Sequence, residues 1–126
     1  MKNNNKKIEK KIFGNKGENF VIDFLKEKKW QILEKNYIYK NNLGEIDIIA
    51  QKNNIISFIE VKSRKYYFIS PNELVPLSKQ KKIIKTAECY IFQKNISLSD
   101  NLIRFDIAYF DDQKVFYFEN AFQKID

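Results

Sequence analysis

The stretch LGEIDIIAQKNNIISFIEVKS, residues 43–63, decides the fold of this chain. It contains two short runs rich in Ile, Val and Phe, at 43–50 and 55–63, separated by the polar residues 51–54. Short runs of β-branched and aromatic residues joined by a polar turn are typical of paired antiparallel strands. The stretch therefore predicts a β-hairpin.

Helical periodicity flanks this hairpin on both sides. Apolar residues recur three and four apart between Gly17 and Lys29, and a second such pattern runs from Ser78, a good N-cap residue, to about Gln93. Further patterns predict strands at 30–39, 102–110 and 114–119, and a proline-containing loop at 64–77. The order α-β-β-β-α-β-β predicts an α/β fold in which helices flank a mixed β-sheet.

Length and composition indicate one domain. The chain has 126 residues, of which 44% are hydrophobic, enough for a packed core. We expect residues 13–126 to form this domain, and residues 1–12 to be a basic arm, either loose or the frayed start of the first helix. The sequence has no apolar run typical of a signal peptide or a membrane span, which predicts a cytoplasmic protein with no membrane partner.

Charge and two missing residue types narrow the chemistry. Lys and Arg number 23 against 16 Asp and Glu, a net charge of +7, which favours nucleic acid as the partner. The abundance of Lys, Asn and Ile also fits an AT-rich genome, so charge alone leaves the partner open. The chain has no histidine and a single cysteine, Cys89, which excludes histidine bases, disulfides and Cys- or His-built metal sites.

Charged residues interrupt both strands of the hairpin. Because alternate residues of a strand share a face, Asp47 is predicted to lie opposite Ile46 and Ile48. In the second strand Glu60 and Lys62 share a face. The ordinary interpretation is a solvated sheet face. The alternative is a hard divalent cation held by carboxylate oxygens, because isolated charges are costly to bury among apolar residues.

Two helical residues extend this polar set. Glu18 lies at the edge of the apolar stripe of the first helix, and Gln80 lies at the start of the stripe of the second. Each alone is typical of a first helical turn, where an acidic residue also interacts favourably with the helix dipole. Together with the hairpin they form a set of three acids, a lysine and a glutamine.

Five motifs together resemble one bacterial family. They are GENFVIDFL (17–25), GEIDIIA (44–50), FIEVKSR (58–64), RFDIA (104–108) and NAF (120–122), with a Lys/Gln-rich helix between the third and the fourth. This arrangement resembles the YraN family, which has a PD-(D/E)XK nuclease-type core related to archaeal Holliday-junction resolvases. The resemblance spans roughly residues 13–122 and implies a restriction-endonuclease-like core. It also implies hydrolysis of phosphodiester bonds with Mg²⁺ or Mn²⁺.

The resemblance implies roles for individual residues. The catalytic positions of the family match Glu18, Asp47, Glu60, Lys62 and, more loosely, Gln80. The implied metal ligands are Glu18, Asp47, Glu60 and the backbone carbonyl of Val61. The proline of the motif's name is absent, since Ile46 precedes Asp47.

Basic residues surround these positions in the sequence. Arg64 and Lys65 follow the second hairpin strand, and Lys79, Lys82 and Lys85 lie along the second helix. A solvated helix face is the ordinary interpretation, and contact with backbone phosphates is the alternative. The aromatic run at 66–68 either stacks on bases or anchors its loop.

Three functions remain at this stage. The leading hypothesis is a metal-dependent endonuclease acting on DNA, with branched or single-stranded features implied by the resolvase relatives. The alternative is a nucleic-acid-binding or accessory protein that keeps the fold and does not cut. The third is a small interaction module with a solvated, charged sheet face. The sequence leaves the oligomeric state open, a homodimer included.

Overall fold

The computed structural model describes residues 2–40, 44–65 and 70–124. The elements in these ranges are three helices and five strands. In chain order they are α1 (Lys2–Glu27), β1 (Gln31–Ile38), β2 (Glu45–Lys52), β3 (Ile55–Ser63), α2 (Pro71–Leu74), α3 (Leu77–Gln93), β4 (Leu102–Phe110) and β5 (Val115–Phe122).

The predicted hairpin at 43–63 is confirmed. β2 pairs antiparallel with β3 from Lys52 opposite Ile55 to Ile48 opposite Ile59. Asn53, in the turn, has a φ of 54°, a left-handed conformation that Asn adopts more readily than most residues.

The five strands form one mixed sheet in the order β1-β2-β3-β4-β5. Neighbouring strands are antiparallel except β3 and β4, which are parallel. Parallel neighbours need a crossover connection, and α3 lies in that connection. The prediction of an α/β fold with a mixed sheet flanked by helices is confirmed, and the arrangement is compatible with a restriction-endonuclease-like core.

The two faces of the sheet carry separate apolar clusters, one around each long helix. In the first, Ile83 and Ala87 of α3 pack with Phe58 of β3. In the second, Val21 and Leu25 of α1 pack with other residues of β2, β3 and β4. Burial of these helix faces against the sheet is the main apolar contribution to stability.

The start of β2 departs from simple alternation. Ile46 packs in the cluster on α3, whereas Ile48 packs in the cluster on α1, so the prediction that they share a face is wrong. The reason is local. β2 pairs with β3 only as far as Ile48, and its first residues pair with β1 alone. In β1 the nearby Asn36 has a φ of 51°, and the β1–β2 register shifts between Ile32 and Glu34.

The helices differ from prediction at their N-terminal ends. α1 begins at Lys2, so residues 2–12 are helical and continuous with the predicted helix. α3 begins one residue before Ser78, and the N-cap is Pro76, which makes no side-chain capping bond. The predicted Ser78 cap is therefore wrong. A short helix, α2, lies in the segment predicted as loop. None of the helices in the described ranges is long and apolar enough to cross a membrane.

A buried carboxylate joins β3, β4 and β5. Asp106 is fully buried, and its oxygens accept hydrogen bonds from side chains and one backbone amide. The donors are the Ser57 hydroxyl, the Arg104 guanidinium, the Tyr117 hydroxyl and the backbone N–H of Asn120. Asp106 therefore has a structural role, holding together the strands behind the candidate site.

Candidate active site

The central feature of the candidate site is the place where β2 and β3 separate. The last pair between them is Ile48 opposite Ile59. Beyond it, Glu60 continues in register with β4, while Asp47 has no partner residue on β3. The Asp47 carboxylate occupies this gap, and its Oδ2 accepts a hydrogen bond of 2.8 Å from the backbone N–H of Val61.

Two lysines neutralise the second acid of the site. Glu60 is only 3% exposed, so its charge needs compensation. Lys79 Nζ, from the first turns of α3, lies 2.7 Å from Glu60 Oε1. Lys62 Nζ, two residues along β3, lies 3.4 Å from the same oxygen. Glu60 is therefore the centre of a small ion-pair network with cations from two elements.

Close packing of α1 against β3 brings in a third acid. A Cβ at Gly17 would overlap the Ser63 hydroxyl as it is placed here, so glycine favours this close approach. The next residue, Glu18, lines the same cavity as Asp47. With its amide oriented to donate, Asn36 Nδ2 lies 3.2 Å from Glu18 Oε1 and 2.9 Å from Glu45 Oε1.

These side chains open into one cavity of about 810 Å³, which we call the acidic pocket. Its acids lie among basic residues from three separate segments. The charged lining residues are Lys6, Glu9, Lys10, Glu18, Asp47, Glu60, Lys62, Arg64, Lys65 and Lys79. A basic rim around a few acids suits a polyanionic ligand that is handled with a cation.

Burial and mutual repulsion raise the pKa values of two acids in the pocket. Desolvation raises the pKa of Asp47 to about 8, and the charges of Glu60 and Glu18 add to this effect against the Val61 hydrogen bond. The pKa of Glu18 is also raised, by desolvation and then by Glu45. Carboxylates that are costly to ionise together are a common property of cation-binding sites before the cation arrives.

The pKa values of Lys62 and Lys79 shift in opposite directions. Desolvation and the neighbouring Lys79 lower the pKa of Lys62, although Glu60 opposes this. Desolvation would also lower the pKa of Lys79, but its bond to Glu60 outweighs that effect and raises it. Lys79 is thus the firm counter-ion of Glu60, and Lys62 is the more weakly held cation.

The predicted metal ligands fit a cation only in part. Within residues 2–40, 44–65 and 70–124, no three Asp, Glu or Cys side chains lie together so that they could hold a metal ion. The Lys79 ammonium contacts Glu60, and Glu18 lies near Asn36. Mg²⁺, however, is usually held by one or two carboxylates together with water and phosphate. The pair of Asp47 and Glu60 meets that smaller requirement.

The structure separates the predicted site residues into two groups. In the acidic pocket it places Glu18, Asp47, Glu60, Val61, Lys62, Arg64, Lys65 and Lys79. Gln80 lies outside that pocket, because its Nε2 donates to the Val75 carbonyl at 2.9 Å. Lys82 and Lys85 line a different cavity, between α3 and the residues that follow β5. The aromatic run at 66–68 is outside the described residues.

Sequence reasoning missed several contacts at the site. Lys79 was expected to contact phosphate, and its bond to Glu60 joins residues nineteen apart, which no local pattern reveals. No sequence pattern marked Asn36, apart from its position in β1 opposite β2, the strand that carries the GEIDIIA motif. Ser63 Oγ is buried without a hydrogen-bond partner among the described residues. Only its position after the E-x-K triplet could have drawn attention to it.

Comparison with known proteins supports one family. A model of "Uncharacterised protein family UPF0102" matches residues 17–110, which include the three acids and Lys62. The UPF0102 protein of Dictyoglomus thermophilum is 49% identical over 105 residues, which cover 82% of this chain and 81% of that protein. The UPF0102 protein of Clostridium botulinum (strain Kyoto / Type A2) is 47% identical over 98 residues, 77% of each chain.

Proposed function

This chain belongs to the UPF0102 family, also called the YraN family, and we propose that it is a metal-dependent endonuclease that hydrolyses phosphodiester bonds in DNA. One observation carries the proposal. Two adjacent carboxylates, Asp47 and Glu60, lie where β2 and β3 separate, and the Lys62 ammonium lies 3.4 Å from Glu60 Oε1. A pair of acids with a lysine is a chemically sufficient set for cleaving a phosphodiester with a bound cation.

The proposed cofactor is Mg²⁺ or Mn²⁺. Asp47, Glu60 and the backbone carbonyl of Val61 would hold it, and Glu18 would complete the set by moving away from Asn36. When bound, the cation would lower the pKa of a water molecule and neutralise charge on the phosphate. The high pKa of Asp47 supports this assignment, since burial and the neighbouring acids make that carboxylate costly to ionise without a bound cation.

The residues of the chain itself would act by position and charge. Lys62 is only 14% exposed, so its ammonium acts in a poorly solvated environment where electrostatic interactions are strong. We assign to Lys62 the orientation of the attacking water and the stabilisation of the extra negative charge that develops on the phosphate. Asp47 keeps its orientation through the Val61 N–H bond.

DNA is the proposed substrate, and the surroundings of the site support an anionic polymer. Arg64, Lys65 and Lys79 line the acidic pocket around the acids and would contact the phosphates next to the cleaved one. Branched or single-stranded-containing DNA remains the favoured class. A cytoplasmic location stays a prediction, as does the absence of a membrane partner.

A second function, binding without cutting, has one observation in its favour. Glu60 already has two ammonium partners, and the three predicted acids do not assemble as a ligand set within the described residues. Acids that are neutralised internally would repel DNA less, so the same basic rim would serve an accessory protein. A binder, however, gains nothing from Asp47, whose burial beside other acids is costly.

A cleavage panel tests the proposal. Purified protein is incubated with labelled linear, flap, fork and four-way-junction DNA in Mg²⁺, Mn²⁺ or EDTA. The nuclease proposal expects cleavage of at least one branched or single-stranded-containing substrate, dependent on the cation and lost in Asp47→Asn. Tight binding across the panel with no cleavage in either cation supports the accessory protein instead.

A further inference from the structure

The sequence alone assigns no role to the first part of α1, residues 2–16. Residues 2–16 precede the apolar stripe of the helix, and residues 1–12 were expected to be a basic arm, either loose or the frayed start of the helix. In the structure residues 2–16 are helical and continuous with the rest of α1. This segment also precedes residues 17–110, which the family model matches, so its role has to be inferred from the geometry of this chain.

Contacts at its C-terminal end fix the direction of this segment. The Phe13 ring packs against Phe110 at 5.7 Å between centroids, and Lys65 Nζ lies 5.3 Å from the Phe13 centroid. One turn later, Lys16 Nζ forms a 2.9 Å ion pair with Asp112. The segment is therefore held against the ends of β3 and β4, where the acidic pocket opens.

One face of the segment lines the acidic pocket. Lys6 and Lys10 are one helical turn apart, and both belong to the lining that also contains Glu18 and Asp47. Lys7 and Lys11, one position further along, are described by the structure and lie outside that lining. Because each residue turns the helix by about 100°, the two lysine pairs point in clearly different directions.

Lys6 and Lys10 lie far from the acids of the pocket along the helix axis. At about 1.5 Å of rise per residue, Lys10 lies about 12 Å and Lys6 about 18 Å along the helix axis from Glu18. One strand of a duplex advances about 3.4 Å per nucleotide. The two ammonium groups therefore lie several nucleotides beyond a phosphate placed at Asp47. Arg64 and Lys65, which follow β3, line the same pocket.

We propose that the N-terminal half of α1 is one wall of a strand-binding cleft, in which Lys6 and Lys10 bind backbone phosphates several nucleotides from the acids. This inference rests on the proposed function in that the ligand is nucleic acid. Glu9 lies on the same wall and weakens the attraction, so the wall binds a strand without holding it tightly.

Matched charge changes on one helix test the cleft. Lys6→Gln/Lys10→Gln and Lys7→Gln/Lys11→Gln each remove two positive charges from exposed helical positions, and glutamine has a helix propensity close to that of lysine. Affinity for a fluorescent branched DNA is measured in Ca²⁺ across a salt series by anisotropy. The Lys6/Lys10 variant should flatten the log–log salt slope by about 1.4 to 1.8, two contacts' worth. The Lys7/Lys11 variant should change it by less than about 0.5.

A variant that removes a negative charge from the same wall provides a second test. Glu9→Gln removes a negative charge from the cleft wall and should tighten binding several-fold at low salt. The control Glu27→Gln, at the far end of α1, should change affinity by less than about twofold, as expected for a distant screened charge.

The inference is overturned if the two lysine pairs have equal effects, or if Glu9→Gln behaves like Glu27→Gln. In that case a parent protein that still cuts DNA leaves the proposed nuclease function intact. A parent protein that neither binds nor cuts DNA at low salt overturns both the cleft and the proposed function.

Discussion

The backbone N–H of Val61 donates a 2.8 Å hydrogen bond to Asp47 Oδ2 across the gap where β2 and β3 separate. This bond replaces the ladder pairing that the two strands have up to Ile48 and Ile59. It holds one carboxylate oxygen of Asp47 in a fixed position beside Glu60. The position of Asp47 is therefore a property of the fold, and its chemistry can be tested by isosteric change.

Cation binding should stabilise the protein through Asp47. At ten times its dissociation constant, Mn²⁺ adds about 1.4 kcal/mol to the free energy of unfolding, or about 4 to 8 °C in melting temperature for a small domain. Asp47→Asn keeps an acceptor for the Val61 N–H and should lose most of this shift. Asp23→Asn, at an exposed position of α1, is the control and should keep it. Equal shifts in all three proteins would exclude a metal site at Asp47.

Stability of the metal-free protein should fall as pH rises. Asp47 has a pKa of about 8 when folded and about 4 when unfolded. Between these values the folded state holds a proton that the unfolded chain has released. The free energy of unfolding should therefore fall by up to about 1.4 kcal/mol per pH unit, and level off above pH 8. This contribution is fully present below about pH 4.

Urea unfolding in EDTA from pH 5 to pH 8 measures this effect as the difference between the parent and Asp47→Asn. The chain has no histidine, so few other groups titrate in this window. The two curves should converge at low pH and separate as pH rises, with the variant the more stable. Parallel curves would show that Asp47 ionises normally in the folded protein.

Lys79 should compete with the cation for Glu60. Its ammonium lies 2.7 Å from Glu60 Oε1, so Lys79→Met removes a positive charge that a metal ion must otherwise displace. Mn²⁺ affinity, measured by calorimetry, should rise by about two- to fivefold, the range for a partly exposed ion pair. Lys81→Met, an exposed neighbour on α3, should leave affinity unchanged. Weaker Mn²⁺ binding in Lys79→Met would mean that Lys79 supports the site.

The buried Asp106 network should contribute strongly to stability and not to metal binding. Asp106→Asn leaves the Arg104 guanidinium, only 13% exposed, without its buried counter-ion. The expected loss is about 3 to 5 kcal/mol in the free energy of unfolding. Glu119→Gln removes a second acid near the same guanidinium, at 3.7 Å, but that acid is 69% exposed. It should cost less than about 0.5 kcal/mol in urea unfolding. Similar losses in the two variants would contradict this account of Asp106.

Local sequence patterns predicted the elements of this fold that depend mainly on neighbouring residues. The hairpin at 43–63 follows from its β-branched runs, and α3 ends at Gln93 as its periodicity indicates. The sequence left residues 1–12 open between a loose arm and the frayed start of the first helix, because they carry no apolar stripe and the contacts that hold the segment begin only at Phe13. Pro76 is the N-cap of α3 because the extended backbone before the helix suits proline. This conformational preference outweighs the capping hydrogen bond that the Ser78 hydroxyl could have accepted.

The sequence predicted those residues of the candidate site that belong to recognisable motifs. Asp47, Glu60 and Lys62 lie together as expected. Gln80 does not, because a buried amide takes the nearest backbone acceptor, here the Val75 carbonyl. The residues that bring helices to the site, Lys79 and Gly17, act through contacts between distant segments, and single-sequence patterns carry no information on such contacts.

The central claim is that this pocket cuts DNA, and Lys62 tests it most directly. Lys62→Met keeps the aliphatic stem and removes the charge, and Lys94→Met does the same at an exposed lysine beyond α3. Single-turnover cleavage is measured in Mn²⁺, and DNA affinity in Ca²⁺. We predict that Lys62→Met slows cleavage by about 10² or more with affinity within about threefold of the parent. Lys94→Met should match the parent in both measurements. Cleavage by Lys62→Met at the parental rate would contradict the claim.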